Sequence, residues 1–192
     1  MHDNPIIQFA QWFALAEDQE LKDANAMILA SADAKGIPSA RVVLLKDYSA
    51  DGFIFYTNME SRKAQEVMQN PHAAATFYWK SIDRQIRIEG PVSTVDDATA
   101  DAYFATRPRE SQIGAWVSDQ SRPLESRVHF MKAIAKVTAG FGLGEIPRPP
   151  HWSGFCLKPE RMEFWSAHAF RWHERYVYSK SDSGWSRKML YP

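Results

Sequence analysis

Two cations stand where a helix is expected to begin, directly after Ser61. Ser61 is a favourable N-cap residue, so Arg62 and Lys63 fall in the first turn. The N-terminal end of a helix carries partial positive charge, and a cation there is unfavourable by roughly 0.3–1 kcal/mol. A bound anion reverses this effect, because helix N-termini bind phosphate groups readily. The pattern therefore indicates a phosphate ester held by these three residues.

A second set of residues indicates another anion site. Tyr103 and Arg107 are four positions apart, so on a helix their side chains point the same way. Ser111 falls in the first turn of the next predicted helix, where hydroxyl and free N–H groups suit a phosphate. Together with Lys46, these residues form an anion site chemically separate from the first.

Both anion sites have an ordinary alternative. Arg62 and Lys63 could be solvated surface cations with no ligand. Arg107 could pair with a local acid, Asp101 or Glu110, at a junction between two helices. The residue pattern leaves these alternatives open.

A row of cations is predicted on a strand near the C-terminus. Side chains alternate across a strand, so Arg171, His173 and Arg175 share one face if residues 170–179 are extended. At a spacing of about 6–7 Å such groups repel one another unless an anion lies over them. In the alternative, the row faces solvent and is paired with Asp or Glu from a neighbouring strand.

Short strands and amphipathic helices must position these residues. Apolar or alternating runs bounded by turn residues predict strands at 25–32, 37–46, 52–57, 72–79, 84–92, 152–157, 161–165, 170–179 and 185–190. Helical spacing, caps and breakers predict helices at 5–20, 61–69, 96–106, 108–117 and about 124–138. Between the last helix and the next strand, residues 140–150 are rich in Gly and Pro and predict an ordered loop.

The order of these elements favours a mainly β fold of the α+β class. Strands follow one another with helices inserted between groups of them, which predicts an antiparallel barrel with peripheral helices. A parallel α/β sheet would need regular alternation of strands and helices. We expect a single domain over residues 1–192, with an N-terminal helical segment at 1–24, a helical insertion at 96–140 and C-terminal strands at 152–192.

Composition narrows the class of protein. Lys plus Arg and Asp plus Glu both number 23, so a formal charge of +0 argues against bulk attraction to nucleic acid or anionic membrane. The single cysteine, Cys156, excludes an intramolecular disulfide and a multi-cysteine metal site. The N-terminus does not read as a signal peptide, and no apolar run approaches about 20 residues. We therefore expect a cytoplasmic protein with no bound metal and no nucleic-acid or membrane partner.

Several motifs resemble one known family. In chain order they are RVVLLK at 41–46, FYTN at 55–58 with SRKA at 61–64, RQIRIEG at 84–90, YFATRPRESQIGAWVSDQS at 103–121, PPHWSG at 149–154, MEFW at 162–165 and RWHER at 171–175. Their order and spacing are similar to those of the pyridoxamine 5′-phosphate oxidase family, from about residue 25 to residue 192. Each motif is moderately specific, and the ordered combination is strongly so.

The resemblance implies a split β-barrel homodimer with FMN bound at the subunit interface. The FMN residues of the family fall on Arg41, Val42, Val43, Leu44, Lys46, Tyr56, Thr57, Arg62, Lys63, Gln85, Gln120, Ser121, Trp165 and Arg175. The residues that bind the substrate, beginning with its phosphate, fall on Lys46, Tyr103, Arg107, Ser111, Arg171 and His173. The resemblance gives the last two of these, Arg171 and His173, the catalytic positions over the substrate ring, and the C-terminal strands then complete the active site.

The resemblance also implies a reaction. Pyridoxine 5′-phosphate or pyridoxamine 5′-phosphate would be oxidised to pyridoxal 5′-phosphate by hydride transfer from C4′ to flavin N5, with O2 reduced to H2O2. One alternative is a related flavin oxidase acting on another ring, such as the phenazine-pathway members of the superfamily. Another is a protein that binds FMN or pyridoxal phosphate without catalysis. The complete phosphate set favours the phosphorylated substrates.

Two departures from the family pattern stand out. Several members close the site with an N-terminal Arg and Tyr, whereas no Arg or Tyr precedes Arg41 here. Trp172 is also bulkier than the aliphatic residue expected between Arg171 and His173. We expect another lid or a more open site, and little effect of Trp172 on the chemistry.

Overall fold

The computed structural model describes every residue from Met1 to Pro192 and contains ten strands and five α-helices. In chain order these are α1 (Pro5–Gln19), β1 (Ala26–Ala32), β2 (Pro38–Leu44), β3 (Asp47–Tyr48), β4 (Phe53–Asn58), α2 (Arg62–Gln69), β5 (His72–Trp79), β6 (Arg84–Thr94), α3 (Asp97–Ala105), α4 (Arg109–Val117), α5 (Arg127–Phe141), β7 (Trp152–Leu157), β8 (Arg161–Ser166), β9 (Glu174–Ser181) and β10 (Gly184–Leu190).

All ten strands join in one antiparallel sheet. The main path runs β10-β9-β8-β6-β5-β1-β2, and β7, β4 and β3 branch from it. The branch point is β6, which is long enough to pair with β8 along its first half and with β7 at Val92–Thr94. The sheet therefore curls on itself. Strands β10 and β2 are the two ends of its main path.

The main core fills the concave side of this sheet. Phe9 of α1 is fully buried and meets Phe53 of β4 and Phe77 of β5 edge-on, with ring centroids 4.9 and 5.3 Å apart. Ile86 and Ile88 of β6 are also fully buried, as the alternating sequence predicts, and Phe13 and Ala16 complete the inward face of α1. A second, smaller cluster joins α3, α4 and the start of β7.

Helix starts follow the capping signals in the sequence. Asn4 caps α1 ahead of Pro5, and Asp96 caps α3 by accepting from the N–H of Thr99. Pro108 separates α3 from α4, so Ser111 lies in the first turn of α4 as predicted. No helix in the chain has the length and apolarity that a membrane crossing requires.

One predicted strand is wrong at its start. The strand expected from residue 170 begins at Glu174, because Phe170 and Arg171 adopt the left-handed conformation with φ of 58° and 63°. They lie in a short 3₁₀ turn, Ala169–Arg171, that reverses the chain between β8 and β9. Antiparallel neighbours need such a reversal, and the residues that make it include none of the usual turn formers.

The remaining differences from prediction are small. The helix α5 begins at Arg127 and continues through Gly140 to Phe141, three residues beyond the predicted end. The two-residue strand β3 and a 3₁₀ turn at Lys80–Ile82 were not predicted. Such short elements leave little pattern in a sequence.

Candidate active site

A cavity of about 660 Å³ opens between β2, β4, α3 and α4. Its walls carry all four residues of the second expected anion site, Lys63 of the first, and several other expected FMN residues: Val42, Val43, Leu44, Lys46, Tyr56, Thr57, Lys63, Tyr103, Arg107, Ser111 and Gln120. The two expected sites are therefore neighbours within one space large enough for a ligand of cofactor size.

The start of α2 forms one end of this cavity. Ser61 is fully buried and caps the helix by accepting from the N–H of Ala64. The Lys63 amine donates to Thr57 Oγ1 at 2.8 Å and to Gln120 Oε1 at 2.6 Å, and Ser121 Oγ accepts from the N–H of Arg62 at 3.3 Å. Burial and the charge of Arg41 lower the pKa of Lys63 to about 8. This amine has polar partners and no carboxylate, so it is not a freely solvated surface cation.

Arg62 forms an ion pair with a buried acid, Glu66. Its Nε donates to Glu66 Oε1 at 2.8 Å, one helical turn away, while 64% of the Arg62 side chain stays exposed. Arg41 of β2 reaches the other oxygen of Glu66 at 3.0 Å. The i, i+4 spacing of Arg62 and Glu66 is a signal that could have revealed this pair from the sequence.

Arg107 lies at the opposite end and has no acidic partner. It follows the C-cap of α3 rather than continuing that helix, yet it lines the cavity together with Tyr103. Its Nη1 atom is buried without a hydrogen-bond partner, and burial lowers the pKa of the guanidinium. The expected alternative, a pair with Asp101, is wrong because Asp101 binds Arg148 at 2.5 Å. A half-buried guanidinium group without an acidic partner is a feature expected of an anion site.

An aromatic stack holds these groups in place. The rings of Tyr56 and Tyr103 stack at 4.1 Å, Trp152 stacks on Tyr56 at 5.1 Å, and the guanidinium of Arg107 lies 4.8 Å from the Trp152 ring centroid. Gly154 lies beside this stack, where a Cβ would come within 2.8 Å of the Tyr56 ring. Trp152 was part of a family motif, but sequence reasoning gave it no role.

The other expected FMN residues lie in one row on the far part of the sheet. Gln85 of β6, Trp165 of β8 and Arg175 of β9 are directly paired across the three strands. Arg175 donates to Glu163 Oε1 at 3.0 and 2.9 Å, so this cation has the neighbouring-strand partner that the alternative reading of the row proposed. Glu163 is 3% exposed and its second oxygen lacks a hydrogen bond.

Arg171 and His173 project from the loop between β8 and β9. The predicted shared strand face is wrong for these two residues, since the strand begins after them. The backbone N–H of His168 donates to His173 Nδ1 at 3.3 Å, and the His173 ring lies 4.8 Å from that of Trp165. With Nδ1 as an acceptor, the neutral imidazole carries its proton on Nε2 and presents a donor to the surroundings.

The expected site is therefore divided between two places on one chain. None of Gln85, Trp165, Arg171, His173 and Arg175 lines the cavity. Five strand steps separate β9 from β2, which is roughly 24 Å measured along the sheet. The two groups of residues therefore lie in different parts of the sheet within one chain.

The residues of the cavity fit a phosphate-bearing flavin. The amine of Lys63 and the guanidinium groups of Arg41 and Arg62 converge at the start of α2, and Glu66 is the carboxylate paired with both arginines. This leaves an excess of positive charge at a helix N-terminus, which suits a phosphate. The apolar strand residues Val42 and Leu44, exposed at 65% and 37%, offer a surface for a planar ring.

Two family models match the chain and together cover nearly all of it. The pyridoxamine 5′-phosphate oxidase model matches residues 16–139. The model described as the pyridoxine 5′-phosphate oxidase C-terminal dimerisation region matches residues 152–192. The second region contains Trp165, Arg171, His173 and Arg175, which are four of the expected site residues that do not line the cavity.

Relatives of high similarity carry the same family name. A pyridoxine/pyridoxamine 5′-phosphate oxidase of Sphingopyxis alaskensis is 55% identical over 192 residues, covering 100% of this chain and 89% of the relative. The protein of that name from Maricaulis maris is 54% identical, covering 99% and 86%.

Solved structures show the same fold. PhzG from Burkholderia lata, determined in complex with tetrahydrophenazine-1-carboxylic acid, superposes with a TM-score of 0.94 at 30% identity and covers 100% of this chain and 94% of PhzG. A pyridoxamine 5′-phosphate oxidase-related, FMN binding protein of Nostoc punctiforme gives a TM-score of 0.79 at 18% identity over the full length of both chains.

These matches confirm the expectations that depend on the family. The antiparallel split barrel with peripheral helices, FMN as the cofactor, oxidoreductase activity and a homodimer are all confirmed. The chain belongs to the pyridoxamine 5′-phosphate oxidase family.

Proposed function

We propose that the protein oxidises pyridoxine 5′-phosphate and pyridoxamine 5′-phosphate to pyridoxal 5′-phosphate at a site shared by two subunits. The observation that carries this proposal is the state of Arg107, which lines the cavity half-buried, pairs with no acid, and has an Nη1 atom without a hydrogen-bond partner. A guanidinium with unused donors at a cavity wall suits a phosphate, which accepts charge-assisted hydrogen bonds. The names of the relatives of high similarity support the same substrates.

The substrate phosphate is assigned to the end of the cavity around Arg107. Tyr103 contributes its hydroxyl, Ser111 lies in the first turn of α4, and Lys46 stands at the end of β2. The Trp152 ring stabilises the Arg107 guanidinium group by a cation–π contact. Four groups around one phosphate fix the position of the reacting carbon, and such positioning can lower a barrier by several kcal/mol.

FMN is assigned to the other end. Arg62, Lys63, Ser121 and Gln120 would hold its phosphate, Arg41, Val42, Val43, Leu44 and Lys46 would lie along it on β2, and Tyr56 and Thr57 would border it on β4. When bound, FMN would supply a hydride acceptor at N5 for the hydride lost from substrate C4′, with O2 as the final acceptor of the two electrons and H2O2 as its product.

The partner subunit is assigned the remaining contacts. Gln85, Trp165 and Arg175 of one chain would complete the FMN site in the cavity of the other. Arg171 and His173 from the same region would hold the substrate ring, with Arg171 as the cation and His173 Nε2 as a hydrogen-bond donor. The family model that covers these residues, except Gln85, is described as a dimerisation region, which supports their role across the interface.

A related ring oxidation is the second candidate. PhzG from Burkholderia lata was determined with tetrahydrophenazine-1-carboxylic acid, and it matches this chain over its whole length. A ring carboxylate could also pair with Arg107, but it offers fewer acceptor oxygens to the four groups around that end of the cavity than a phosphate does. Dependence of turnover on a substrate phosphate is therefore what separates the two candidates.

Oxygen consumption by the purified, FMN-loaded protein tests the proposal. We expect turnover with pyridoxine 5′-phosphate and far less with unphosphorylated pyridoxine. Arg107→Ala should raise KM for the phosphorylated substrate by about tenfold or more, because a charge-assisted contact is lost, and should change turnover of pyridoxine little. Failure of pyridoxine 5′-phosphate to reduce the flavin under anaerobic conditions would overturn the proposal, and turnover that does not depend on the phosphate would favour the second candidate.

A further inference from the structure

Glu66 is a buried carboxylate with an unusual number of partners. It lies on α2, is 4% exposed and is not among the residues expected to touch either ligand. Its Oε2 accepts from the hydroxyls of Ser31 and Ser39, each at 2.6 Å, and from Arg41 at 3.0 Å. Its Oε1 accepts from Arg62 Nε at 2.8 Å. One carboxylate thus ties together β1, β2 and the first turn of α2.

The way in which Arg62 binds Glu66 determines what the rest of its side chain can do. The contact uses Nε, so neither terminal nitrogen of Arg62 is engaged by the acid. Arginine presents its donors in a rigid planar fork, and fixing one edge of the fork orients the other. The terminal groups of Arg62 are thereby left free of the acid on a side chain that is 64% exposed, and they stay available for an anion.

Arg41 is fixed by the same cluster. Besides Glu66, it donates to Ser31 Oγ at 2.6 Å, to Ser39 Oγ and to the carbonyl of Leu29 at 3.2 Å. These contacts leave the Arg41 side chain about 20% exposed. Both arginines of the FMN site are therefore preorganised by an acid that faces away from the cavity.

We propose that Glu66 is a positioning residue for FMN: it orients Arg62 and Arg41 so that the flavin phosphate meets preformed donors. This inference rests on the assignment of the FMN phosphate to Arg62 and Lys63. Preorganised donors bind more tightly because the cost of ordering them is met during folding rather than during binding.

Electrostatic repulsion alone predicts the opposite effect of Glu66 on FMN binding. Glu66 places a negative charge close to the phosphate site, so a neutral residue there should strengthen binding of an anion if charge alone mattered. Orientation of the two arginines should outweigh this repulsion, because the acid is engaged by four donors on its own side of the cluster.

The experiment measures the dissociation constants of FMN and riboflavin for the apo-protein by flavin fluorescence. Glu66→Gln should weaken FMN binding about tenfold, since a charge-assisted contact to Arg62 is lost, and should leave riboflavin binding within about twofold because riboflavin has no phosphate. In an Arg62→Ala background the same change should cost FMN binding clearly less.

A matched charge control lies at the same end of α2. Glu60→Gln removes the same charge beside Ser61, but Glu60 pairs with Arg122 rather than with Arg62 or Arg41. FMN binding by this variant should stay within about twofold of the wild-type value. If Glu66→Gln does not fold, Ser39→Ala removes one donor to Glu66 and should give a smaller loss confined to FMN.

The outcomes separate the inference from the function. Unchanged or tighter FMN binding in Glu66→Gln, or equal losses for FMN and riboflavin, would overturn the positioning role. If Arg62→Ala itself leaves FMN binding unchanged, the assignment of the phosphate is wrong. If Arg62→Ala weakens FMN binding and the Glu66 variant does not, the assignment stands and the positioning role fails.

Discussion

At the scale of one residue, the surroundings of the Lys63 amine are those of a preformed anion site. The amine is half-buried beside Arg41, and its acceptors are the neutral oxygens of Thr57, Ser61 and Gln120. Burial first and Arg41 second lower its pKa to about 8. A phosphate in contact with this amine favours the charged form and raises the pKa again.

This shift predicts that FMN affinity depends on pH. Below about pH 8 Lys63 is already protonated in the free protein, so binding needs no proton at this position. Above about pH 8 the free amine is neutral and binding must take up a proton, so affinity should fall by up to about tenfold per pH unit. Fluorescence titrations with FMN from pH 7 to pH 10 measure this as roughly constant affinity followed by a decline.

Two controls identify the group responsible. Lys63→Ala should bind FMN more weakly at pH 7 and lose the decline above about pH 8. Riboflavin should show a much flatter profile with the wild-type protein. A decline that survives in Lys63→Ala would assign the pH dependence to another group.

At the scale of single residues, predictions from the sequence succeeded where the residues concerned are close along the chain. They failed where the three-dimensional fold determines which residues meet. Ser61 was correctly predicted to cap a helix with Arg62 and Lys63 in its first turn, because these signals lie within a few residues, while the anion site there stays a prediction. Arg107 was expected on the same helix as Tyr103 and instead follows its end, although both reach one cavity. Asp101 does not pair with Arg107 because it binds Arg148, which lies 47 residues from Asp101 in the chain. No local pattern predicts that competition.

The loop between β8 and β9 is the element whose conformation was least predictable. Phe170 and Arg171 both have positive φ without being Gly, Asn or Asp, and Phe170 is 86% exposed. Such a conformation costs roughly 1–2 kcal/mol for a residue with a Cβ. Strain of this kind concentrates at functional loops, and this loop carries Arg171 and His173.

Replacement of Phe170 by glycine tests the strain. Glycine adopts positive φ without penalty, and little buried surface is lost, so Phe170→Gly should leave the free energy of unfolding unchanged or raise it by up to about 1 kcal/mol. Trp172→Gly is the matched control, since Trp172 is also exposed, at 74%, but has φ of −81°.

The control should lose stability by about 0.5–1 kcal/mol, because glycine costs entropy there without relief of strain. Thermal or urea unfolding of the two variants gives the comparison. Equal losses in both would show that the left-handed conformation stores no strain at Phe170.

Most of the other elements were predictable because their patterns are local. Alternation in β6, the caps Asn4, Ser61 and Asp96, and the break at Pro108 each reflect a rule that acts within a few residues. The branching of the sheet at β6 could not be read in this way. It depends on pairing of Val92–Thr94 with β7, more than 60 residues later in the chain.

In the whole molecule, the residues expected to form one site lie in two separate regions of the chain. The cavity lies against β2 and β4, whereas Arg171 and the row at Gln85, Trp165 and Arg175 lie toward the other end of the sheet path. A homodimer with two-fold symmetry supplies both regions to each of two sites. Each site would then need a cavity from one chain and a loop from the other.

Mixed dimers test this arrangement. Arg107→Ala damages the cavity and Arg171→Ala damages the loop, so with pyridoxine 5′-phosphate well below KM each homodimer should show about a tenth of wild-type activity or less. Refolding the two variants together in equal amounts should restore roughly a quarter of wild-type activity, because half of the dimers contain one undamaged site.

The control mixture combines Arg107→Ala with Lys46→Ala, which both lie in the cavity. Every site in that mixture has a damaged cavity, so activity should stay at the level of the parents. Absence of restoration in the first mixture would place the whole site within one chain. Restoration in the control mixture would show that Arg107 and Lys46 of one site come from different chains, contrary to their place in one cavity.

Gln85, Trp165 and Arg175 are paired directly across three strands. This row makes flavin binding depend on the concentration of the protein. A flavin held between this row and the cavity of another chain lies in the seam of the dimer. Mass action then makes the two equilibria reciprocal, so subunit association and flavin retention strengthen each other by the same factor. Dilution of the protein becomes a way to release the cofactor, and saturating flavin becomes a way to hold the subunits together.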